Sequence, residues 1–221
     1  MLQRFWGVAL LSLITTGGSV REDPVAGPLS QAWVGTVFTN PVTGETIKVL
    51  EVGRDEEGEV LRGRLTVAPG GSGPPRHVHP RIHEWFHVES GKLAVWVDGE
   101  DRRLGPGESI RIPPGTPHGF ENPYDDPVVF EGVSRPGLRL IHALATLFGL
   151  AREGRLHADG TPRFLQAMVF ARAMKETLYL ASPPFPVQRA LWTLFAPMGR
   201  LRGYRPTYAR FLQPDNWTPE S

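Results

Sequence analysis

The stretch "RHVHPRIHEWFHVESG", from Arg76 to Gly91, holds four of the chain's seven histidines together with Glu84. On a β-strand, residues two apart point to the same face, so His77 and His79 present both imidazole rings on one side. Downstream, His118 follows the stiff turn "PPGTP" and enters another strand. Three neutral imidazoles and one carboxylate suit a divalent ion such as Fe(II), Mn(II), Ni(II), Zn(II) or Cu(II). The stretch therefore raises the hypothesis of a metal site.

Around this stretch, from Trp33 to Ser134, short apolar runs alternate with turn signals. The runs include "WVGTVFT", "TIKVLEV", "LRGRLTV", "KLAVWV", "SIRI" and "VVFEGV", which are four to seven residues long. Short strands at this spacing predict an all-β sandwich or barrel. The pair Asp98-Gly99 predicts a tight hairpin, because a type I′ turn needs positive φ at both central residues.

After Pro136 the pattern changes to a helical one. The first segment, "GLRLIHALATLFGLARE", has an apolar stripe of Leu140, Leu144, Leu147 and Phe148. A second helix is predicted within "TPRFLQAMVFARAMKETLYLA", with Thr161 as the N-cap and Pro162 at the first helical position.

A third helix is predicted within "VQRALWTLFAPMGRLRGY", where Pro197 should kink or end it. Its predicted apolar face consists of Val187, Leu191, Leu194 and Phe195. The tail "QPDNWTPES" is predicted to be mobile. The resulting division is an N-terminal extension and linker at 1–33, a β-barrel at 34–134, and a helical appendage with its tail at 135–221.

Composition excludes several classes of protein. The formal net charge is +1, so no global charge draws the chain to nucleic acid, and no nucleic-acid module is evident. The chain has no cysteine, which excludes disulfides, zinc–thiolate fingers and thiol nucleophiles. The charge is uneven, because residues through Ser134 carry a net −6 and those from Arg135 onward a net +7.

The N-terminus has the outline of a secretory signal. Arg4 precedes an apolar run from Phe5 to Ile14, but no A-x-A cleavage pattern follows within residues 1–20. The run is ten residues long, whereas a membrane-spanning helix needs about 20. We expect a cytoplasmic protein, with export through this segment as the alternative.

Two motifs in the chain resemble those of the cupin superfamily. The pattern G-x5-H-x-H-x4-E-x6-G is matched from Gly71 to Gly91, and G-x5-P-x-G-x2-H-x3-N is matched from Gly107 to Asn122. Fifteen residues separate Gly91 from Gly107, as is common in small single-domain bacterial cupins. The resemblance implies a mainly β fold, a single jelly-roll barrel, here followed by the C-terminal α-helical section.

The same resemblance implies that the metal ligands are His77, His79, Glu84 and His118, held in the mouth of the barrel. One divalent ion is expected, with Fe(II) or Mn(II) favoured and Ni, Zn or Cu as alternatives. The activity that this favours is oxidation of a small organic substrate by dioxygen, in which Glu84 also moves a proton. The alternatives are a metal-dependent isomerase or lyase, and a non-catalytic sensor or carrier of a small molecule.

Strand parity predicts the lining of the substrate pocket. Phe86 and Val88 share the face of Glu84, and Phe120 shares that of His118, so an apolar wall is expected. His83 and His87 should point the other way, as surface or supporting residues. No general base separate from the metal ligands is evident from the sequence.

The basic helical section allows three interpretations. Its apolar stripes can pack on the barrel and on each other, which we favour, or they can form a lid or dimerisation element. Contact with an anionic membrane surface is the third and is not favoured. A homodimer is expected, because small cupins often pair through their sheets.

Overall fold

The computed structural model describes residues 33–217. All but the last residue of the extension expected at 1–33, including its signal-like segment, and the end of the tail at 218–221 lie outside the described residues. The mainly β part contains eleven strands in the described range: β1 Val37–Asn40, β2 Glu45–Asp55, β3 Gly58–Val67, β4 His77–Val78, β5 His83–Ser90, β6 Leu93–Val97, β7 Glu100–Leu104, β8 Ser109–Ile112, β9 Pro117–Glu121, β10 Val128–Arg135 and β11 Tyr179–Leu180.

These strands form two antiparallel sheets. The larger has the order β1-β2-β3-β10-β5-β8, and the smaller has the order β11-β4-β9-β6-β7. Inward residues of both sheets, among them Val88, Leu93 and Phe130, are fully buried in one core. The jelly-roll barrel followed by helices is confirmed.

The turns between strands follow the local sequence. Asp98 and Gly99 both have positive φ, 49° and 93°, and they connect β6 to β7 as predicted. Gly91 ends β5 with a φ of 76°, and a Cβ at this position would lie 2.4 Å from the carbonyl oxygen of Pro127. The glycine that closes the first motif is therefore required both by its dihedral angle and by its close neighbour.

Within residues 33–217, three α-helices follow the barrel: α1 Leu138–Arg152, α2 Phe164–Met174 and α3 Phe185–Leu201. The first, α1, packs against β1 and β3. The buried surface of α1 is wider than the predicted apolar stripe. It also includes four fully buried residues, Ile141, Ala143, Ala145 and Leu150. Among residues 33–217, no helix combines the length and apolarity needed to cross a bilayer.

The predicted start of the second helix is wrong. Its N-cap is Arg163, because Asp159 accepts hydrogen bonds from the backbone and hydroxyl of Thr161 and holds that residue in a turn. The helix ends at Met174, and further along the same segment Tyr179–Leu180 forms β11, which pairs with β4. The segment therefore contains both a helix and a strand of the smaller sheet.

The predicted face of the third helix is also wrong. Its buried residues are Gln188, Trp192, Ala196 and Gly199, whereas Val187 and Leu194 of the predicted face are exposed. Small residues decide the orientation of α3: a Cβ on Gly199 would lie 2.6 Å from Val169 of α2. The helix also continues through Pro197 to Leu201 rather than ending there.

The described part of the tail packs on the barrel through Trp217. Trp217 is buried, its ring lies 4.5 Å from that of Phe38, and its indole N–H donates to the carbonyl oxygen of Phe211 at 3.0 Å. A buried tryptophan with a satisfied N–H is a strong anchor. The chain is therefore held to the barrel at Trp217, within the tail that was predicted to be mobile.

Candidate metal centre

The four candidate ligands converge at one point of the barrel. Pairing of β4 with β9 places His77 opposite His118, and His79 follows directly after β4. Glu84 lies near the start of β5, on its inward face. One ligand atom of each side chain lies within 4.8 Å of those of the other three, and all four residues are buried.

Backbone carbonyl groups fix which nitrogen of each imidazole faces the cluster. Nδ1 of His77 donates to Pro75 at 3.0 Å, Nδ1 of His79 to Thr177 at 2.6 Å, and Nδ1 of His118 to Thr116 at 2.9 Å. A carbonyl oxygen can only accept, so each Nδ1 carries a proton and each ring directs its Nε2 at the cluster, as a lone pair in the neutral rings of His77 and His79 and toward the carboxylate of Glu84 in His118. Three Nε2 atoms therefore point into one small volume.

The separations of these atoms fit a single ion. The Nε2 atoms of His77 and His79 lie 3.1 Å apart, and Oε2 of Glu84 lies 2.8 Å from Nε2 of His118 and 3.6 Å from that of His79. Two ligand atoms held at right angles, each about 2.1 Å from an ion, lie about 3 Å from each other. Two facing lone pairs at such a distance repel each other unless a cation lies between them, so the donor set fits a divalent metal.

The protonation states also suit metal binding. Burial lowers the pKa of His77 well below its ordinary value and also lowers that of His79. Burial alone would raise the pKa of Glu84, but the neighbouring His79 and His118 outweigh it and lower that pKa to about 2. Glu84 is consequently ionised, and His77 and His79 are neutral, as metal ligands must be. Burial lowers the pKa of His118, but its hydrogen bond to Glu84 outweighs this and raises that pKa, so a metal would have to displace the proton on Nε2 of His118.

A residue of β10 supports the carboxylate. The hydroxyl of Ser134 donates to Oε1 of Glu84 at 3.1 Å, which leaves Oε2 directed at the histidines. Hydrogen bonds of this kind orient ligand atoms and strengthen metal binding. Neither Ser134 nor the carbonyl of Thr177 was identified from the sequence, since both depend on residues distant along the chain.

The cluster opens into a largely apolar cavity of about 70 Å³ inside the barrel. Of the three residues predicted to line the substrate pocket, Phe86 and Phe120 are among its lining residues. Val88 lies on the predicted inward face of β5, but it is fully buried in the core and does not line this cavity. Leu140 and Ile141 of α1 complete the wall, so the helical section takes part in the site.

Glu45 is a second carboxyl group in this cavity, and sequence reasoning missed it. It lies on the inward face of β2 with Ile47 and Val49, and only 2% of its surface is exposed. Burial raises its pKa to about 8, and no side-chain hydrogen bond or ion pair to it is found within residues 33–217. Its alternation with the two apolar residues in "ETIKV" is the signal that could have identified it.

The remaining residues of the histidine-rich stretch point outward, as predicted. His83 and His87 are exposed, and Nδ1 of His87 lies 2.8 Å from the hydroxyl of Ser109. Trp85, between them, packs under the guanidinium of Arg111. Strand alternation on β5 thus separates the ligand Glu84 from the surface histidines.

Comparison with known proteins agrees with this geometry. The family model described as the cupin domain matches residues 63–134. A probable oxidoreductase of Hypocrea virens, virH, is 30% identical over 163 residues, which cover 66% of this chain and 71% of the relative. The chain therefore belongs to the cupin superfamily, and the resemblance of its two motifs is confirmed.

Two further matches cover a smaller share of this chain than the match to virH does. Quercetin 2,3-dioxygenase of Bacillus subtilis is 41% identical over 58 residues, which are 25% of this chain and 17% of that enzyme. Among solved structures, an RmlC-like cupin of Shewanella frigidimarina matches with a TM-score of 0.39 and 22% identity, covering 45% of this chain and 82% of that one. The match to virH covers more of this chain than the cupin domain alone.

Proposed function

We propose that this cupin is a mononuclear metal-dependent oxygenase acting on a small, mainly apolar organic substrate. The observation that carries the proposal is the convergence of three histidine Nε2 atoms and one carboxylate on a point beside an apolar cavity. An apolar wall with few polar groups favours an aromatic or aliphatic substrate over a sugar.

The proposed resident ion is Fe(II) or Mn(II), held by His77, His79, Glu84 and His118. When bound, such an ion would supply the one-electron chemistry that allows dioxygen to react with an organic molecule. In a dioxygenase reaction both oxygen atoms enter the product, so no external reductant is needed.

The protein's own groups have three roles in this proposal. Phe86 and Phe120 exclude water from the cavity, which strengthens the electrostatic interactions inside it. Ser134 holds the carboxylate of Glu84 in one orientation. Glu45, which is protonated at neutral pH, can donate a proton or a hydrogen bond to an oxygen atom of the substrate.

Two relatives support an oxidative activity. The relative virH is named a probable oxidoreductase, and the match to it covers 71% of its length. Quercetin 2,3-dioxygenase, by its name, acts on an aromatic compound with dioxygen, although this chain matches only 17% of that enzyme. The apolar cavity and the site chemistry of this chain agree with both names.

Oxygen consumption tests the proposal directly. Protein stripped of metal and reloaded with Fe(II) or Mn(II) is mixed with a panel of phenols and diketones, and oxygen uptake is followed with an electrode. We expect uptake in proportion to product formed, with label from ¹⁸O₂ in the product. A His118→Ala variant should show none, whereas His87→Ala should match the wild type.

The other outcomes identify the alternatives. Turnover that persists without oxygen would replace the oxygenase by a metal-dependent isomerase or lyase. Tight binding of a panel member without turnover in any metal form would replace it by a carrier or sensor. Either result would contradict the proposed oxygenase.

A further inference from the structure

A second cavity, which we name the helical chamber, lies between the barrel mouth and the three helices. It has a volume of about 150 Å³ and is lined by Leu147 of α1, Phe170 and Ala171 of α2, and Trp192 of α3, together with His77 of the barrel. The cupin motifs lie outside α1, α2 and α3, so the sequence resemblance does not account for the chamber.

The walls of the chamber are almost entirely apolar. Gln188 is one of its few polar lining residues, and its amide already donates to the carbonyl oxygens of Leu180 and Pro183. Phe170 and Trp192 are both at most 5% exposed. The chamber therefore offers dispersion contacts and almost no free hydrogen-bonding groups to a ligand.

The size of the chamber matches a definite chemical group. An apolar cavity of about 150 Å³ accommodates a benzene-sized molecule. Such a cavity costs folding stability, since its walls lack packing partners, and natural cores contain few of them. Leu180 and Pro183, which are exposed and line the chamber, connect it to the surface.

The chamber adjoins the metal centre. His77 and Pro74 line both the chamber and the barrel cavity, so the two spaces share a wall that contains a candidate metal ligand. Pairing of β11 with β4 holds this wall, because Leu180 is opposite His77 in the register. The two spaces therefore lie on either side of His77 and Pro74, and a molecule with its reactive end at the cluster would have its other end beside the chamber.

We propose that the helical chamber binds the apolar end of the substrate, a monocyclic ring or a branched hydrocarbon group of about six carbon atoms. The assignment to a substrate rests on the proposed function, whereas apolar binding in the chamber does not. The helical section would thus select substrates by the hydrocarbon group attached to the oxidised part.

Calorimetric titration with phenol and 4-benzylphenol tests this proposal. We expect the wild type to bind 4-benzylphenol roughly tenfold or more tightly than phenol, because the added ring is buried in the chamber. Ala171→Phe fills the chamber and should remove this difference while the metal content stays unchanged. Ala190→Phe, the same change on an exposed position of α3, should preserve it.

Two further variants test the chamber independently of Ala171→Phe and of the metal. Ala167→Leu narrows the same chamber from another position of α2 and should lower the preference for 4-benzylphenol even if Ala171→Phe does not fold. His118→Ala should lose metal but retain the preference, which separates chamber binding from the proposed activity. Equal binding of both phenols by the wild type, or an unchanged preference in folded Ala171→Phe and Ala167→Leu, would overturn the proposal.

Discussion

The barrel and the helical section contribute to the metal centre in different ways. The barrel supplies the four side chains whose atoms meet, and its motifs place them by local spacing. The helical section supplies support: Thr177 orients His79, and Leu140 and Ile141 close the cavity. The motifs therefore determine which ligand atoms converge. The helical section determines how His79 is oriented and which side chains line the adjacent cavity.

The largest expected effect belongs to the barrel ligands. His77→Ala and Glu84→Ala should each lower metal affinity by more than about a hundredfold, since a ligand matters more than the hydrogen bonds that orient it. Metal per chain, measured by elemental analysis after purification without chelators, checks this. His87→Ala is the control and should retain metal; equal loss in all three variants would mean that the ligands are misassigned.

A large effect on stability is expected in the helical section. Trp217→Ala should lower the free energy of unfolding by about 3–5 kcal/mol, because it removes a buried aromatic side chain that packs on Phe38 of β1. Denaturant unfolding measures the change. Leu201→Ala, at a residue 89% exposed, should change it by less than about 0.5 kcal/mol. If both variants behaved alike, the tail would not be an anchor of the helices to the barrel.

A pH-dependent effect is expected from the interior of the barrel. The pKa of Glu45 is about 8 in the folded chain and 4.5 as its ordinary value, so the folded state retains a proton that the unfolded state releases. The stability contributed by this proton is fully present below pH 4.5 and is lost as the pH rises toward 8. The loss should be about 3 kcal/mol between pH 5 and pH 7.

Glu45→Gln isolates this contribution, because the amide has nearly the same shape and does not titrate. Unfolding of the wild type and the variant should be compared at several pH values between 5 and 8. The variant should gain stability relative to the wild type as the pH rises. Parallel pH profiles would show that Glu45 is ionised in the folded protein.

The smallest expected effect concerns the support of a ligand within the barrel. Ser134→Ala removes the hydrogen bond to Oε1 of Glu84 and should lower metal affinity by about tenfold. Competition with a metal indicator measures the affinity. A loss as great as that of Glu84→Ala would mean that Ser134 is itself a ligand, and no loss would mean that the cavity walls alone orient the carboxylate.

The features of this fold that could be predicted are those set by residues close together in the sequence. The strands and the inward side of His77 and Glu84 follow from parity, and the positive-φ turn at Asp98-Gly99 follows from residue type. These features depend on neighbours in sequence. The fold and the convergence of the four side chains could therefore be predicted from the sequence.

The features that the sequence did not predict depend on contacts between residues far apart along the chain. The carbonyl that orients His79 belongs to a residue 98 positions away, in a segment whose helical periodicity gave no sign of β11. The buried face of α3 depends on the close approach at Gly199 rather than on its apolar stripe. A homodimer, a cytoplasmic location and the division into domains stay predictions.

The most direct test of the metal centre is anomalous X-ray scattering from crystals of the full chain loaded with Mn(II). One strong peak is expected within about 2.3 Å of Nε2 of His77, His79 and His118 and of Oε2 of Glu84. A peak bound elsewhere, or no peak at these four atoms in fully loaded protein, would contradict the account.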